Sequence, residues 1–339
     1  MIKSKPMMSF LLLMGFFIFS SCQQHQKVTV LKLGHSLAPT NSVHKAMVYM
    51  GKRLEKLSGG TMKLEIYPSS QLGGESQCLE LLQIGSLAMT KVSAAALEGF
   101  APEFQVLSLP YIFKDKAHAF KVLDGPIGQG MLKQAQKFWL RGLCYYDAGS
   151  RSFYTKDTPI YTPDDLKGLK IRVMKSNTAV EMVKLLGGSP TPISFGELYT
   201  ALQGGVVDGA ENNPPSFYLS HHYEVCKYYS LDEHTMVPDV LLISTIVWNK
   251  LTPQQQKWLQ EAANESVPVQ RKLWAESEKE SLAAVKKAGV KIIHPDKEPF
   301  REKVKGMYEQ YKDDSTMYSL IKRIQAVDTL ALPGDKGEN

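Results

Sequence analysis

Apolar and polar positions follow two periods along the chain, and the switches between them lay out its elements. VTVLKLG, starting at Val28, is a short β-rich run. In the next stretch Val43, Met47, Met50, Leu54 and Leu57 recur at steps of four and three, one apolar stripe of a helix that stops at Gly59-Gly60. TMKLEIY alternates as a strand, and QLGGESQCLELLQIGSLAMTKVS places glycines before a helix carrying Leu79, Leu82 and Ile84, then another strand. Repeated βα units of this length predict a parallel sheet covered by helices on both faces. The pattern then restarts. GLCYYDAGSRSFYT and LKIRVM read as strands joined by the turn-rich PIYTPDDLKG, and NTAVEMVKLLGG reads as a helix ending in two glycines. SPTPIS is a short extended piece, GELYTALQGG a helix, and VVDGAENN a strand running into a polar turn. A second α/β lobe begins near Ala148.

PDVLLISTIVWNKL is strongly apolar and strand-like, and is expected to cross back between the lobes. After it the composition is helical from Thr252 to about Lys287, which at 1.5 Å per residue spans ~54 Å, longer than one lobe is wide. One helix linking both lobes is therefore expected. Pro268 lies inside it and is expected to bend or interrupt it, because it lacks the N–H donor and crowds the preceding turn.

The chain opens MIKSKPMMSFLLLMGFFIFSSC, with Lys3 and Lys5 before an apolar run from Met7 to Phe19 and small residues before Cys22. That is the layout of an export signal over residues 1–21. A membrane-spanning helix is the competing reading, but the run falls short of the ~20 apolar residues needed. Ser-Ser-Cys with Phe19 three places before Cys22 is also similar to a bacterial lipobox, which makes Cys22 a candidate lipid anchor followed by a polar QQHQ tether. Without the leader about 318 residues remain, past the ~250–300 at which a single core stops growing, so two lobes fit the length as well. The 40 basic and 34 acidic side chains give +6, a mild and interspersed excess that gives no sign of a nucleic-acid partner. Cys78, Cys144 and Cys226 lack metal-type spacing and read as small buried hydrophobes, with no disulfide framework indicated.

Motifs of enzymes are absent: no GxSxG, no GxxxxGK[ST], no GxGxxG after a strand, no HExxH. His221-His222 are adjacent, so on a helix they diverge by about 100° and do not chelate one metal. No metal or cofactor is expected. What stands out is a set of polar residues at strand ends and helix starts, where α/β proteins bind small ligands. In LKIRVM, Leu169, Ile171 and Val173 alternate with Lys170, Arg172 and Met174, which leaves the direction of Arg172 open. Facing water it is an ordinary charge; facing a cleft it is a rigid fork for a carboxylate. Arg151 in DAGSRSFYT and Asn212-Asn213 in DGAENNPPS carry the same ambiguity, since a strand arginine is often solvated and an Asn-Asn-Pro turn is often only a turn.

IYPSSQLGGE, LPYIF, DLKGLKIRV, LLGGSPTPISFGELYTALQGGVVDGAEN and Trp248–Leu259 carry a resemblance from about Val28 to Gln325. The chain resembles the DctP-type solute-binding proteins of TRAP transporters, tripartite systems that hand organic acids to an ion-coupled membrane pair. The resemblance implies an α/β, type II-like, two-lobe periplasmic binding protein with mixed sheets, a ligand cleft between the lobes and a long lobe-spanning helix. It places the family's carboxylate-binding arginine on Arg172, a second strand arginine on Arg151, the assisting asparagine on Asn212 with Asn213 beside it, and the aromatic after the SPTP turn on Phe195. Sialic-acid-binding members carry Glu and Arg where this chain has Ser93 and Ala96, which argues against that ligand. Lys91, His35 and Glu75 are available to the first-lobe side, Glu75 to accept from sugar hydroxyls, Lys91 and His35 to donate to hydroxyls or to a second acid. Surface solvation is the plain alternative for His35 and Glu75. GSRSFYT, VDGAENNPPSFY and DEHTMVPD are similar to the branch associated with uronates.

The resulting expectation is lobe I over 22–147, lobe II over 148–235, a return to lobe I with the start of the long helix over 236–270, and the helix end with the C-terminal part of lobe II over 271–339. The implied function is capture of a sugar acid in the periplasm by a monomer on a lipid anchor, and delivery to the small and large TRAP membrane subunits, with no catalysis. A sensor module signalling to a membrane partner and a C4-dicarboxylate-binding member of the same family stand as alternatives.

Overall fold

The computed structural model describes residues 28–328; the leader and Cys22 lie outside the described residues. Eleven strands are present among these residues: β1 (Thr29–Gly34), β2 (Met62–Tyr67), β3 (Met89–Ser93), β4 (Leu140–Tyr146), β5 (Arg151–Thr155), β6 (Lys170–Val173), β7 (Ser189–Pro192), β8 (Gly209–Asn212), β9 (Tyr228–Thr235), β10 (Asp239–Ser244) and β11 (Lys291–Ile293). They form two sheets, ordered β2-β1-β3-β10-β4 and β11-β9-β5-β8-β6-β7.

The opening βα units pair parallel as their spacing requires, β1 with β2 and with β3. Both sheets are nevertheless mixed, because each receives a strand that returns without a covering helix. β10 runs antiparallel between β3 and β4, and β5 runs antiparallel to β8 and β9. GLCYYDAGSRSFYT, which reads as one strand-like run, is two strands in two sheets. The chain leaves the first lobe after Tyr146 and enters the second at Arg151. β10 carries it back, as its apolar composition suggests, since all six of its residues are buried between β3 and β4 of the first sheet.

The helix Ser42–Leu57 buries Val43, Met47, Met50 and Leu54 of the stripe read from spacing, with Leu57 at its end only partly buried, and ends at Ser58 before two glycines at φ +60° and +85°. Ile84 is not part of its neighbour's buried face; it follows the helix Glu75–Gln83 and is 68% exposed.

One helix, Pro253–Lys287, spans both lobes. Thr252 and Gln255 form a capping box at its start. It packs on Ser42–Leu57 in the first lobe, where Arg53 donates to both oxygens of Glu265 at 2.5 and 2.9 Å, and on Pro214–Leu219 in the second. The helix continues through Pro268, so the expected interruption does not occur. Packing on both sides of the proline supplies what the missing hydrogen bond does not. The last segment divides between the lobes. Glu298–Val304 packs on the second, but Ser315–Gln325 returns to the first, against Pro102–Ser108 and with the Ile324 carbonyl 3.0 Å from His118 Nε2. The described stretch 271–328 is therefore shared between the two lobes.

Between the lobes the chain passes through Asp147–Ser150, and the long helix holds that crossing. Gln270, fully buried, accepts from the Asp147 N–H at 2.8 Å and donates to the Asp147 carbonyl at 2.7 Å. Gly149 sits at φ +60°, and a Cβ there would meet Glu278 Oε1 at 2.8 Å and Trp274 Nε1 at 3.0 Å, so the crossing lies flat on the helix. Replacing Gln270 with leucine orphans both backbone groups of Asp147. At the usual cost of an unsatisfied buried group this is expected to destabilise the protein by about 2–4 kcal/mol. Urea denaturation of Gln270→Leu against the parent checks it, and an unchanged midpoint would refute the role.

Candidate ligand-binding site

A cleft opens between the two sheets. Its first-lobe wall includes Glu75, Lys91, Ser93 and Asp239; its second-lobe wall includes Arg151, Arg172, Phe195, Asn212 and Asn213; Ala148, Val237 and Trp274 close it at the crossing.

Arg172 lies in β6, flanked by β7 at Thr191 and β8 at Ala210, and is 2% exposed. The open question of its direction is answered: it lines the cleft. Its Nε donates to the Ile193 carbonyl at 2.8 Å, and its Nη1, buried, has no partner among the described residues. It makes no salt bridge with any described residue. Burial accordingly pulls its pKa below the usual arginine value, although a guanidinium still keeps its charge at neutral pH.

Arg151 differs. Its Nε and Nη2 grip both oxygens of Glu211 at 2.5 and 2.9 Å, Nη2 also meets the Glu211 carbonyl at 2.8 Å, and Nη1 donates to Asn212 Oδ1 at 2.8 Å. One of its five N–H donors remains. It lines the cleft, but its charge is already matched. Asn212 Oδ1 accepts from the Asn213 N–H as well, at 2.9 Å, which fixes the carboxamide so that only its NH₂ is left to offer. Asn213 caps the helix Pro214–Leu219 by accepting from the Ser216 N–H at 2.8 Å.

Lys91, expected as a free donor, sits mid-way along a fully buried β3 with Nζ 3.0 Å from Asp239 Oδ1 and 3.6 Å from Glu75 Oε1. Burial alone would lower its pKa; Asp239 and Glu75 raise it above the ordinary value, so it stays charged. Glu75 Oε1 also accepts from the Ser93 N–H at 2.9 Å, while burial pushes its pKa up. Phe195, half-buried, lines the cleft with its ring edge-on to His222 at 5.8 Å. His35 does not line this cleft. It is buried behind the wall, its Nδ1 accepting from the Leu37 N–H at 3.1 Å and its Nε2 3.0 Å from His44 Nδ1, and burial, Lys91 and His44 depress its pKa to about 3.

Several residues of the site carry no individual signal in the sequence. Asp239 follows a proline at the head of an apolar strand, and Trp274 is one aromatic on a long helix; its indole N–H is buried without a partner. Behind Arg151 lies a buried relay: Glu211 Oε2 is 3.4 Å from His234 Nε2, and His234 Nδ1 is 2.7 Å from Asp232 Oδ2. Both ring nitrogens face carboxylates, so the ring is an imidazolium. Burial opposes that charge, but Asp232 and Glu211 lift its pKa to about 9, and Arg151 with His234 bring Glu211 down to about 2 against its burial. The acids of DGAEN and DEHT, each embedded in strand sequence, were the available hint.

Among the described residues no group of three or more His, Cys, Asp or Glu side chains is arranged to hold a metal, and Cys78, Cys144 and Cys226 are free and buried. No helix among them is long and apolar enough to cross a membrane.

Two opposed linkages set the pH dependence of stability. His234, with its folded pKa raised to about 9, contributes stability that is complete below about 6.5 and lost as pH rises toward 9. His35 and His222, both depressed to about 3, contribute stability that is complete above about 6.5 and lost as pH falls toward 3. The melting temperature is expected to peak near pH 6.5, and His234→Gln to flatten the alkaline limb while leaving the acid limb. Melting curves across pH 4–10 check this, and an alkaline limb unchanged in the variant would refute it.

Residues 33–314 match the model of the bacterial extracellular solute-binding protein family 7, DctP. The chain is 42% identical to a TRAP periplasmic solute-binding protein from Xanthobacter autotrophicus Py2 solved with bound β-D-galacturonate, covering 88% of this chain and 100% of that one with a TM-score of 0.86. It is 36% identical to one from Pseudomonas putida F1 with bound D-glucuronate, over 88% and 97% of the two chains, TM-score 0.85. Among curated relatives it is 40% identical over 299 residues to the uncharacterized protein YiiZ of Salmonella typhimurium, covering 88% of this chain and 91% of that protein. A two-lobe fold, a cleft with an unmatched buried cation and a match over nearly the whole described chain give one conclusion: this chain belongs to the DctP family of extracellular solute-binding proteins that serve TRAP transporters, and is not an enzyme.

Proposed function

We propose that the cleft captures a carboxylate-bearing sugar acid, a uronate or aldonate such as glucuronate or galacturonate, and that the protein delivers it to an ion-coupled TRAP membrane complex. The observation that carries the reading is the Arg172 guanidinium, buried on the cleft wall with no acid partner and an idle Nη1. A carboxylate offers two coplanar acceptor oxygens to such a fork, and the free NH₂ of Asn212 adds a donor beside it. Arg151 then acts through Asn212, holding its carboxamide, with a single N–H left for the ligand. Phe195 supplies an apolar face for a sugar ring. The bound galacturonate and glucuronate of the two solved relatives support the class of ligand. We also assign Cys22 as a lipid anchor holding the exported chain at a membrane surface.

Removing Arg172 strips the ligand's acid of its counter-charge inside a desolvated cleft. Arg172→Ala is expected to weaken galacturonate and glucuronate binding by about 2–5 kcal/mol, about 30- to 5000-fold in Kd. Calorimetry on the variant, with circular dichroism to establish that it is folded, checks this; near-parental affinity would overturn the assignment. For the anchor, mass spectrometry of the protein purified from its host membranes is expected to find an acylated N-terminal Cys22, and an unmodified mature terminus would refute it.

A further inference from the structure

The charges of the cleft do not balance locally, and the imbalance has a sign at each end. On the second lobe Arg151 is matched by Glu211, and behind them His234 is matched by Asp232, so Arg172 alone remains uncompensated. On the first lobe the single cation Lys91 stands between two acids, Glu75 and Asp239, so one negative charge is in excess. The free oxygens matter too. Lys91 and the Ser93 N–H both address Glu75 Oε1, and Lys91 addresses Asp239 Oδ1; Glu75 Oε2 and Asp239 Oδ2 receive no hydrogen bond from any described residue.

From this layout we propose that Glu75 and Asp239 act together as a charge filter that admits acids with one carboxylate and rejects those with two. The proposal rests on the sugar-acid reading above and narrows it to monoanionic polyhydroxy acids. A hydroxyl arriving at the first-lobe wall brings a proton to donate to Glu75 Oε2 or Asp239 Oδ2, whereas a second carboxylate brings only acceptors and a like charge. Lys91 does not rescue the dianion, because both acids already claim its charge. Like charges brought together in a desolvated interface are disfavoured strongly enough to separate partners by about hundredfold or more. The two lobes thus ask different things of one ligand: an acid for Arg172 at one end, donors for Glu75 and Asp239 at the other. Aldarates and small dicarboxylates satisfy only the first.

The test compares galactonate with galactarate, open chains that differ at one end by a hydroxymethyl group against a carboxylate, by competitive displacement of bound galacturonate, with malate as a short dicarboxylate. In the parent protein galactarate and malate are expected to bind at least about a hundredfold more weakly than galactonate. In Glu75→Gln and in Asp239→Asn, each of which removes one acid and leaves Lys91 a carboxylate, the galactonate-to-galactarate ratio is expected to fall at least tenfold. Either variant suffices if the other does not fold. Galactarate within tenfold of galactonate in the parent, or a ratio unmoved in the folded variants, would overturn the filter while leaving the sugar-acid reading intact. Failure of galacturonate itself to bind the parent would instead strike down that reading.

Discussion

A buried guanidinium without a counter-ion is expensive, and the architecture around this cleft is organised to keep one. Arg172 is held by a backbone carbonyl, Ile193, and by its place on a strand between β7 and β8, so the side chain does not relax toward a protein acid. Glu211, an acid on its own sheet, is occupied by Arg151 through three hydrogen bonds. Glu211 is further held by His234, which Asp232 keeps charged. This alternating series of buried charges neutralises itself and stops one residue short of Arg172. An uncompensated cation is stable there only because the surrounding charges have already found partners, and that is the condition for an external carboxylate to be its partner.

The crossing between lobes has the opposite character, because the polar groups of Asp147 are satisfied internally. The Asp147 backbone is paired with Gln270, its side chain accepts from the Gly149 N–H and faces Lys116, and Lys116 also reaches Glu278 on the long helix. A satisfied polar knot of this kind fixes where the lobes meet without filling the cleft between them. It also explains how a helix of 35 residues tolerates Pro268. The turns on either side of the proline are pinned, by Glu265 to the first lobe and by Gln270 to the crossing.

How much of this the sequence disclosed depends on the range of the interaction. Element identity is local, and so the stripe from Val43 to Leu54, the alternation in TMKLEIY and the apolar β10 were all legible. Arg172 was legible as a question, because alternation says that it opposes Ile171 without saying what its side of the sheet faces. The resemblance to known solute-binding proteins then gave the direction that periodicity lacked. Pairing within a lobe between residues far apart in the chain was not legible. That Lys91 belongs to Asp239, 148 positions away, and that Glu211 belongs to Arg151, 60 positions away, are facts of topology. His35 shows the same limit: a histidine beside a strand end has the composition of a cleft residue, but its partner His44 lies on the following helix and turns it inward. The split of GLCYYDAGSRSFYT between two sheets likewise depends on the crossing at Asp147–Ser150, which is fixed by the distant Gln270.

The division of charged groups between the lobes also bears on closure. The lobes also touch outside the cleft: Glu98 of the first lobe accepts from Ser176 Oγ at 2.8 Å and from the Thr178 N–H at 3.3 Å, where the helix Asn177–Leu185 begins. Burial pushes the Glu98 pKa up, so this contact carries its own desolvation cost and is a weak fastening. A ligand shifts the balance only by binding the closed form better than the open one. One that touched Arg172 alone would gain nearly as much in either form, since the whole of its binding site would travel with one lobe. A molecule that also donates to Glu75 and Asp239 collects its second set of bonds only when the lobes come together. On the proposed reading, selectivity for the ligand's far end and the drive to close are the same interaction.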